Sequence, residues 1–364
     1  MKKGLFSFLC SLLLGCSFGQ SYTEPLKVKL DSVFSFINQN DPGGYMYVQM
    51  GNQILYYRQF GIADLESKKQ FDDYTLVNIG GLSKTFIAYG ILLLQQEGKL
   101  NLEDSILKYI PDFKNKEFAK KIKIRHLLTH TSGLKDLPLQ KMDSAHFLNI
   151  KDDENFNLVK YSNTLAFEPG NNFLYSDQAF SALVTILEKA SGISWQQFLQ
   201  EKIFNPAGMT FTKLSGKPGE KTNAAHGYRK LKGNYSEYDQ DEVPKMYTAV
   251  NGGVWSNVVD LRKYLYALQY CLFIKCENVK LSQELLLPFN WYSPHRPPHS
   301  YCWFIDQVPN IETSNISYEG KIGGYTSHII IIPSSELNIV IVSNNSVSYA
   351  PLLIPVLKEF NYIK

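Results

Sequence analysis

NIGGLSKTFIAYG, residues 78–90, is the stretch of sequence that decides the fold. Its second half opens an apolar run, which predicts a helix from about Ser83 to Glu97 that ends with Gly98 in the C-cap position. The run is apolar on nearly all sides, so this helix should be central and buried. Lys84 follows Gly81 by three residues, about one helical turn, and the two positions therefore share a face.

Segments with strand character stand at both ends of the chain. Near the start, Tyr45–Met50 and Ile54–Phe60 are joined by Gly51-Asn52, which predicts a β-hairpin. The other predicted strands lie near the end, at Trp303–Asp306, His328–Pro333 and Asn338–Asn344, and a helix follows from about Ala350 to Phe360. Strands at both ends predict one discontinuous α/β domain, residues 22–78 and 300–364, that encloses a helical domain, residues 79–299.

Helical patterns and loops alternate between these ends. The other predicted helices are Asn101–Tyr109, Ile124–His130, two around Gly192 within residues 178–199, and Val258–Leu268. The segments Lys213–Lys245 and Asn278–His299 are polar or rich in proline, so we expect them to be loops, with His295 and His299 in solvent.

Short motifs accompany these elements in a definite order. They are Pro42-Gly43, Gly61-Ile62-Ala63-Asp64, IRHLLTHTSG at 124–133, Pro169-Gly170, Tyr175-Ser176-Asp177, Pro206-Ala207-Gly208-Met209, Asn251-Gly252-Gly253 and Gly323-Gly324-Tyr325-Thr326-Ser327. Together with residues 78–90 they closely resemble the serine β-lactamase and penicillin-binding superfamily over roughly residues 25–362. The resemblance implies an α/β (α+β) β-lactamase/transpeptidase-like fold, an antiparallel sheet flanked by helices with an inserted all-helical domain. It also implies class C β-lactamase, D-alanyl-D-alanine carboxypeptidase or esterase chemistry without a cofactor.

The resemblance also assigns roles within a cleft. The family signature is S-x-x-K, and here Gly81 stands at the position of the nucleophilic serine while Lys84 stands at that of the lysine that takes its proton. Tyr175 is the expected general base and acid, with its acidity raised by the lysine, and Asp177 the residue that orients substrate or lysine. Ser83 lies about 200° round the helix from the shared face and is expected to be structural.

A strand triplet completes the expected site. The family usually has a basic residue first, whereas the matching residues here are Tyr318, Glu319 and Gly320. Tyr318 can donate one hydrogen bond but cannot pair with a carboxylate as a cation does. The resemblance places the oxyanion hole at the backbone N–H groups of Gly81 and Lys321, and backbone donors survive a change of side chain.

Two function classes follow from the absence of a serine at position 81 and of a basic residue at position 318. The first is a secreted binding or regulatory module that does not acylate and takes a small peptide, a peptidoglycan fragment or an ester-like ligand. The second is an active hydrolase in which Tyr175 or Lys84 activates water, or Ser83 or Ser176 replaces the nucleophile. Gly81 also widens the cleft by a hydroxymethyl group, which would admit a ligand closer to the backbone donors.

Composition and the first residues bear on location and partners. The formal charge is +3 and no basic stripe is visible, so neither nucleic acid nor an anionic surface is an implied partner. Residues 1–19 have the basic start and apolar run of a secretory signal, with cleavage after Gly19 or lipidation at Cys16 as the two alternatives. Membrane attachment is expected only through that lipid, in a periplasmic or envelope-anchored protein.

Cysteines and histidines give weaker signals. Cys271, Cys276 and Cys302 could form one disulfide in an oxidising compartment, but a helix through 261–273 puts the first two on different faces, so three buried thiols are expected. His126 and His130 have the spacing of a zinc pair but no glutamate between them and no third ligand nearby, so we expect hydrogen bonding and no metal.

Overall fold

The computed structural model describes residues 20–33, 35, 38–136, 152–215, 223–238, 248–284, 286, 299–307, 314–346 and 356–357. Its helices are α1 Gln20–Val33, α2 Lys84–Gln96, α3 Lys116–Lys121, α4 Ile124–Leu128, α5 Asp152–Lys160, α6 Asp177–Ser191, α7 Trp195–Leu199, α8 Asn205–Ala207, α9 Val258–Gln269 and α10 Cys276–Gln283. Its strands are β1 Gly44–Met50, β2 Gln53–Phe60, β3 Ile62–Asp64, β4 Lys69–Gln70, β5 Val77–Asn78, β6 Lys213–Leu214, β7 Tyr228–Leu231, β8 Asn234–Glu237, β9 Val254–Ser256, β10 Phe304–Gln307, β11 Ser314–Ile322, β12 Tyr325–Ile332 and β13 Leu337–Ser343.

The main sheet has six strands in the order β10-β11-β12-β13-β1-β2, and every pairing is antiparallel. Strand β1 pairs on one side with β2, through the predicted hairpin, and on the other with β13. The sheet therefore joins the two ends of the chain. The mixed α/β fold class with an antiparallel sheet is confirmed, while the domain boundaries remain a prediction.

Both faces of the sheet are covered. On one face, Leu26 and Leu30 of α1 join Val356, Leu357 and the alternate side chains of β1, β12 and β13 in an apolar cluster. The opposite face packs on the larger core, which includes α2. The side chains from Lys84 to Leu94 of this helix are all buried, as the apolar run predicted.

Three local predictions differ from the structure, and two others lie almost wholly outside the described residues. Residues 213–245, predicted to be loop, contain β6, β7 and β8, because short polar strands carry little hydrophobic alternation. The predicted loop from Asn278 begins inside α10. Of the predicted helix Asn101–Tyr109, only Ile106–Lys108 forms a 3₁₀ turn. The predicted helix 350–360 and the leader, including Cys16, lie outside the described residues except for 356–357.

The cysteine prediction was wrong. Cys271 and Cys276 form a disulfide with their Cα atoms 5.2 Å apart. The physical reason is that α9 ends at Gln269 and Cys271 has a positive φ of 56°, so the chain turns back before Cys276 begins α10. Cys302 is a buried free thiol, as expected.

Among the described residues, no helix combines the length and the apolar character that a membrane crossing requires.

Candidate functional site

The site is built where strand β11 lies against the turn that precedes α2. Gly80–Ser83 form a 3₁₀ turn that leads directly into α2. A Cβ on Gly80, which has a φ of +53°, would lie 2.9 Å from the backbone N of Lys321. A Cβ on Gly320 would lie 2.3 Å from the carbonyl oxygen of Ile79. Glycine at both positions lets the strand and the turn approach this closely.

Lys84 is the centre of the site and is fully buried. Its ammonium Nζ donates a hydrogen bond to the carbonyl oxygen of Val250 at 2.7 Å and forms an ion pair with Asp177 Oδ1 at 2.7 Å. An ammonium group has three N–H donors. These two contacts therefore leave one donor for a further acceptor.

A chain of hydrogen bonds leads from Lys84 to two tyrosines. Tyr175 Oη donates to Asp177 Oδ1 at 3.0 Å and lies 3.2 Å from Tyr318 Oη. Each phenol has a single proton, so with the Tyr175 proton committed to Asp177, the Tyr318 hydroxyl donates to Tyr175. Both hydroxyl protons are then used within the site.

The expectation that lysine raises the acidity of Tyr175 was wrong. The ring is 37% exposed at the mouth of the site, but its hydroxyl is enclosed by Asp177 and Tyr318. Burial, then the negative charge of Asp177 and the proximity of Tyr318, raise the pKa of Tyr175 well above its usual value. Burial likewise raises the pKa of Tyr318. Neither phenol is poised to act as a base at neutral pH.

Gly81 lies directly against this cluster. A Cβ at this position would lie 3.3 Å from Lys84 Nζ and 3.5 Å and 3.7 Å from Tyr318 Cε1 and Oη. The backbone of Gly81 does not have the positive φ that only glycine adopts readily. A serine here would therefore place its hydroxyl beside the lysine amine, as the resemblance implies, and the glycine leaves that position without a side chain.

The triplet residues lie on both sides of β11. Tyr318 is buried towards Gly81, whereas Glu319 is partly exposed and its Oε1 lies 2.9 Å from Lys321 Nζ. Because side chains alternate along a strand, Glu319 does not face the same side as Tyr318. Its charge is thus balanced by Lys321, outside the Lys84 cluster.

The two alternative serine nucleophiles hold structural positions. Ser83 is buried and its Oγ donates to the carbonyl oxygen of Gly80 at 2.8 Å. Ser176 is the N-cap of α6: its Oγ accepts from the N–H of Ala179 at 2.8 Å and donates to Asp136 Oδ1. Both hydroxyls already stabilise turns of the backbone.

Two carboxylates that support the site were not identified from the sequence. Asp136 accepts from the N–H of Asp177 at 3.0 Å, and thereby positions the residue that pairs with Lys84. Asp152 is buried, and its Oδ2 accepts from the N–H of Ala249 at 2.7 Å, next to the Val250 carbonyl that binds Lys84. Burial raises the pKa of Asp152 to about 7. A single acidic residue carries no sequence signal for such a role.

Histidines line the back of the site. His130, with a positive φ of 53°, accepts from the N–H of Ser176 through Nδ1 and packs its ring 4.4 Å from that of Tyr175. His299 is buried with its ring 5.2 Å from His130, so its predicted exposure was wrong. The reason is that β10 brings Phe304 against its ring at 4.8 Å. Burial lowers the pKa of His299 to about 3. His295 lies outside the described residues.

The described part of the chain contains no cluster of three or more side chains that could hold a metal ion. His126 Nδ1 accepts from the N–H of Lys123 at 3.2 Å, which is a local hydrogen bond within the turn that begins α4.

Comparison with known proteins agrees with this architecture. A family model described as beta-lactamase matches residues 31–356, most of the chain, and the protein belongs to that family. It is 29% identical to penicillin-binding protein 4* of Bacillus subtilis over 315 residues, covering 83% of this chain and 68% of the relative. It is 25% identical to a beta-lactamase of Escherichia coli over 371 residues, covering 93% and 94%.

Solved structures show the same fold. An octameric penicillin-binding protein homologue from Pyrococcus abyssi superimposes with a TM-score of 0.79 at 23% identity, covering 93% of this chain and 77% of that one. The superfamily resemblance inferred from the motifs is therefore confirmed. The roles of the individual site residues remain predictions.

Proposed function

We propose that this protein is a β-lactamase-related, serine-hydrolase-like envelope protein that binds a ligand in its cleft without forming an acyl-enzyme. The observation that carries the proposal is the geometry at Gly81. Lys84 and Tyr318 surround the position where a nucleophilic side chain would begin, and glycine supplies none. The ligand classes that suit such a cleft are a small peptide, a peptidoglycan fragment or an ester-like compound.

The absence of a nucleophile is expected to lower turnover greatly. In subtilisin, a serine hydrolase of unrelated fold, removing the nucleophilic serine lowers turnover about a million-fold, which corresponds to about 8 kcal/mol of barrier. Binding and backbone donors retain part of the catalysis there. By this comparison the present site keeps recognition and loses covalent chemistry.

The neighbouring hydroxyl groups offer no replacement nucleophile. The Ser83 hydroxyl is buried and donates to the Gly80 carbonyl, and the Ser176 hydroxyl is buried as the N-cap of α6. Water activation by Tyr175 or Lys84, the alternative hydrolase mechanism, meets two obstacles. The tyrosine has a raised pKa, and the lysine ammonium is ion-paired with Asp177. An ammonium cannot take a proton from water until it has lost one of its own.

We further propose that the protein acts outside the cytoplasm, either free in the periplasm or attached through a lipid at Cys16. The support is the basic and apolar start of the chain together with Leu13-Leu14-Gly15-Cys16. No nucleic-acid partner and no cofactor are part of this proposal.

The experiment is intact mass spectrometry of the purified protein after incubation with nitrocefin, a penicillin and an activated ester, with hydrolysis followed in parallel. We expect no adduct and no turnover above that of the Lys84→Ala variant. Turnover or an adduct that Lys84→Ala abolishes would establish an active hydrolase instead. The Ser83→Ala and Ser176→Ala variants would then identify or exclude the serine that carries the adduct.

A further inference from the structure

A second cavity, of about 270 Å³ and open to solvent, lies beside the loop that follows α4. Its wall is largely polar and includes Glu103, Arg125, Thr129, Thr131 and Tyr301. It is separate from the cleft at Gly81, because none of the residues of the Lys84 cluster lines it. Pockets for drug-sized ligands usually measure about 300–1,000 Å³, so this cavity suits a smaller molecule.

Arg125 offers hydrogen-bond donors to this cavity. Its Nε lies 2.6 Å from Glu103 Oε1, and the two terminal NH₂ groups of the guanidinium have no acceptor among the described residues. A guanidinium carries five N–H donors in a planar fork. The side chain is 40% exposed, so solvent and small ligands can reach the fork.

The wall of the cavity carries an excess of positive charge. Glu103 is paired with two cations, because its Oε2 also contacts the ammonium of Lys123. The three side chains together therefore have one positive charge that is not balanced. Glu284 also lies near Tyr301, but it is exposed and does not line the cavity, so its charge is better screened by solvent.

Tyr301 adds a neutral donor. The residue is 7% exposed and lines the cavity, and its hydroxyl has no hydrogen-bond partner in the part of the chain that the structure describes. Burial raises the pKa of Tyr301, so the hydroxyl keeps its proton at neutral pH. Polar groups at such depth are nearly always hydrogen-bonded, and a ligand acceptor would supply the partner.

The two threonines provide an acceptor. Thr129 Oγ1 donates to the carbonyl oxygen of Arg125 at 2.8 Å and lies 2.8 Å from Thr131 Oγ1. Each hydroxyl has a single proton, so Thr131 donates to Thr129. Both protons are then used, and the lone pairs of Thr131 Oγ1 remain for an N–H or O–H group of a ligand.

We propose that this cavity binds a small carboxylate that also carries a hydroxyl or amino group. The carboxylate accepts from the guanidinium of Arg125 and from the hydroxyl of Tyr301, while the ligand's own donor binds Thr131. A planar guanidinium matches a carboxylate in a bidentate pair. The single unbalanced positive charge matches a monoanion. This site does not depend on the function proposed for the Gly81 cleft.

The test compares lactate with two probes that each lack one of its groups, propionate without the hydroxyl and lactamide without the charge. Each is titrated into the ¹⁵N-labelled full-length protein at neutral pH, and the amide resonances of Thr131, Tyr301 and Lys84 are followed. Loss of the charge should weaken binding about tenfold and loss of the hydroxyl about fivefold. The resonances of Thr131 and Tyr301 should move, and that of Lys84 should not.

Two variants test the donors separately. Arg125→Gln should weaken lactate binding about tenfold, and Tyr301→Phe, which removes a single oxygen atom and keeps the ring, about fivefold. Arg229→Gln and Tyr161→Phe are the matched controls, because neither residue lines the cavity, and they should leave lactate binding unchanged.

Each outcome decides the inference. Absence of saturable binding by lactate overturns it, as does lactamide binding as tight as that of lactate. Resonance changes at Lys84 without changes at Thr131 and Tyr301 would place the ligand in the Gly81 cleft and also overturn it. If lactate binds Tyr301→Phe as tightly as wild type, the assigned donor is wrong, and a folding defect in Arg125→Gln cannot hide that result.

Discussion

Replacing Asp177 with alanine tests whether Lys84 is held as a buried cation. The change removes one of the two acceptors of an ammonium that is fully buried. Breaking a buried ion pair costs about 3–5 kcal/mol. Because the Asp177 side chain is 26% exposed, we expect the lower end of that range, about 3 kcal/mol, in the free energy of unfolding.

Part of this loss comes from the helix dipole, because Asp177 is the first residue of α6. That contribution is about 0.3–1 kcal/mol. Asp153→Ala is the matched control, since this exposed carboxylate lies in the first turn of α5. Stability is measured by urea unfolding of both variants, of Lys84→Met and of the Lys84→Met/Asp177→Ala double variant. Together these give the interaction energy between Lys84 and Asp177. The double variant should be about 2 kcal/mol more stable than the sum of the two single losses would give. An Asp177→Ala loss no larger than that of Asp153→Ala would refute the buried pair.

Three further changes have defined outcomes. Gly320→Ala should lower the free energy of unfolding by at least about 2 kcal/mol in urea, because its Cβ would lie 2.3 Å from the Ile79 carbonyl oxygen; a stability like that of wild type would contradict this packing. Cys276→Ser should lower the free energy of unfolding by about 2 kcal/mol relative to the oxidised protein, because the disulfide with Cys271 closes only a short loop. Adding a reducing agent should not change the stability of this variant. Burial lowers the pKa of His126 to about 4, below its unfolded value, so the free energy of unfolding should fall as the pH drops from about 6.5 to 4, by up to about 1.4 kcal/mol per pH unit. His126→Gln should reduce this pH dependence, and an unchanged pH dependence would count against the buried neutral ring.

The elements predicted best are those with strong local patterns. The hairpin around Gly51-Asn52 and helix α2 follow from turn chemistry and from an uninterrupted apolar run, and both form close to their predicted bounds. Strands β7 and β8 were missed because they are short and largely polar. The disulfide was missed because its geometry depends on one positive φ at Cys271, which a helical periodicity does not predict.

The site shows the same division between local and long-range information. The spacing of Gly81 and Lys84 is set by one turn of helix and could be predicted. The supporting contacts of Asp136, Asp152 and His299 connect residues far apart in the chain, and nothing in the surrounding sequence marks them. The pKa of Tyr175 depends on burial and on the carboxylate beside it, which is why proximity to lysine alone gave the wrong direction.

We propose that Gly81 stands at the position of the family's nucleophilic serine, and one measurement tests this most directly. It is the mass of the Gly81→Ser/Asp177→Asn variant after incubation with a penicillin. Asparagine keeps a hydrogen-bond acceptor for Lys84 but removes the negative charge of the ion pair. We predict one covalently bound penicillin in this variant and none in the wild-type protein. Adding Lys84→Ala to the variant should abolish the adduct. An equal adduct on the wild-type protein, or no adduct on the folded double variant, would contradict the assignment of Gly81 to the nucleophile position.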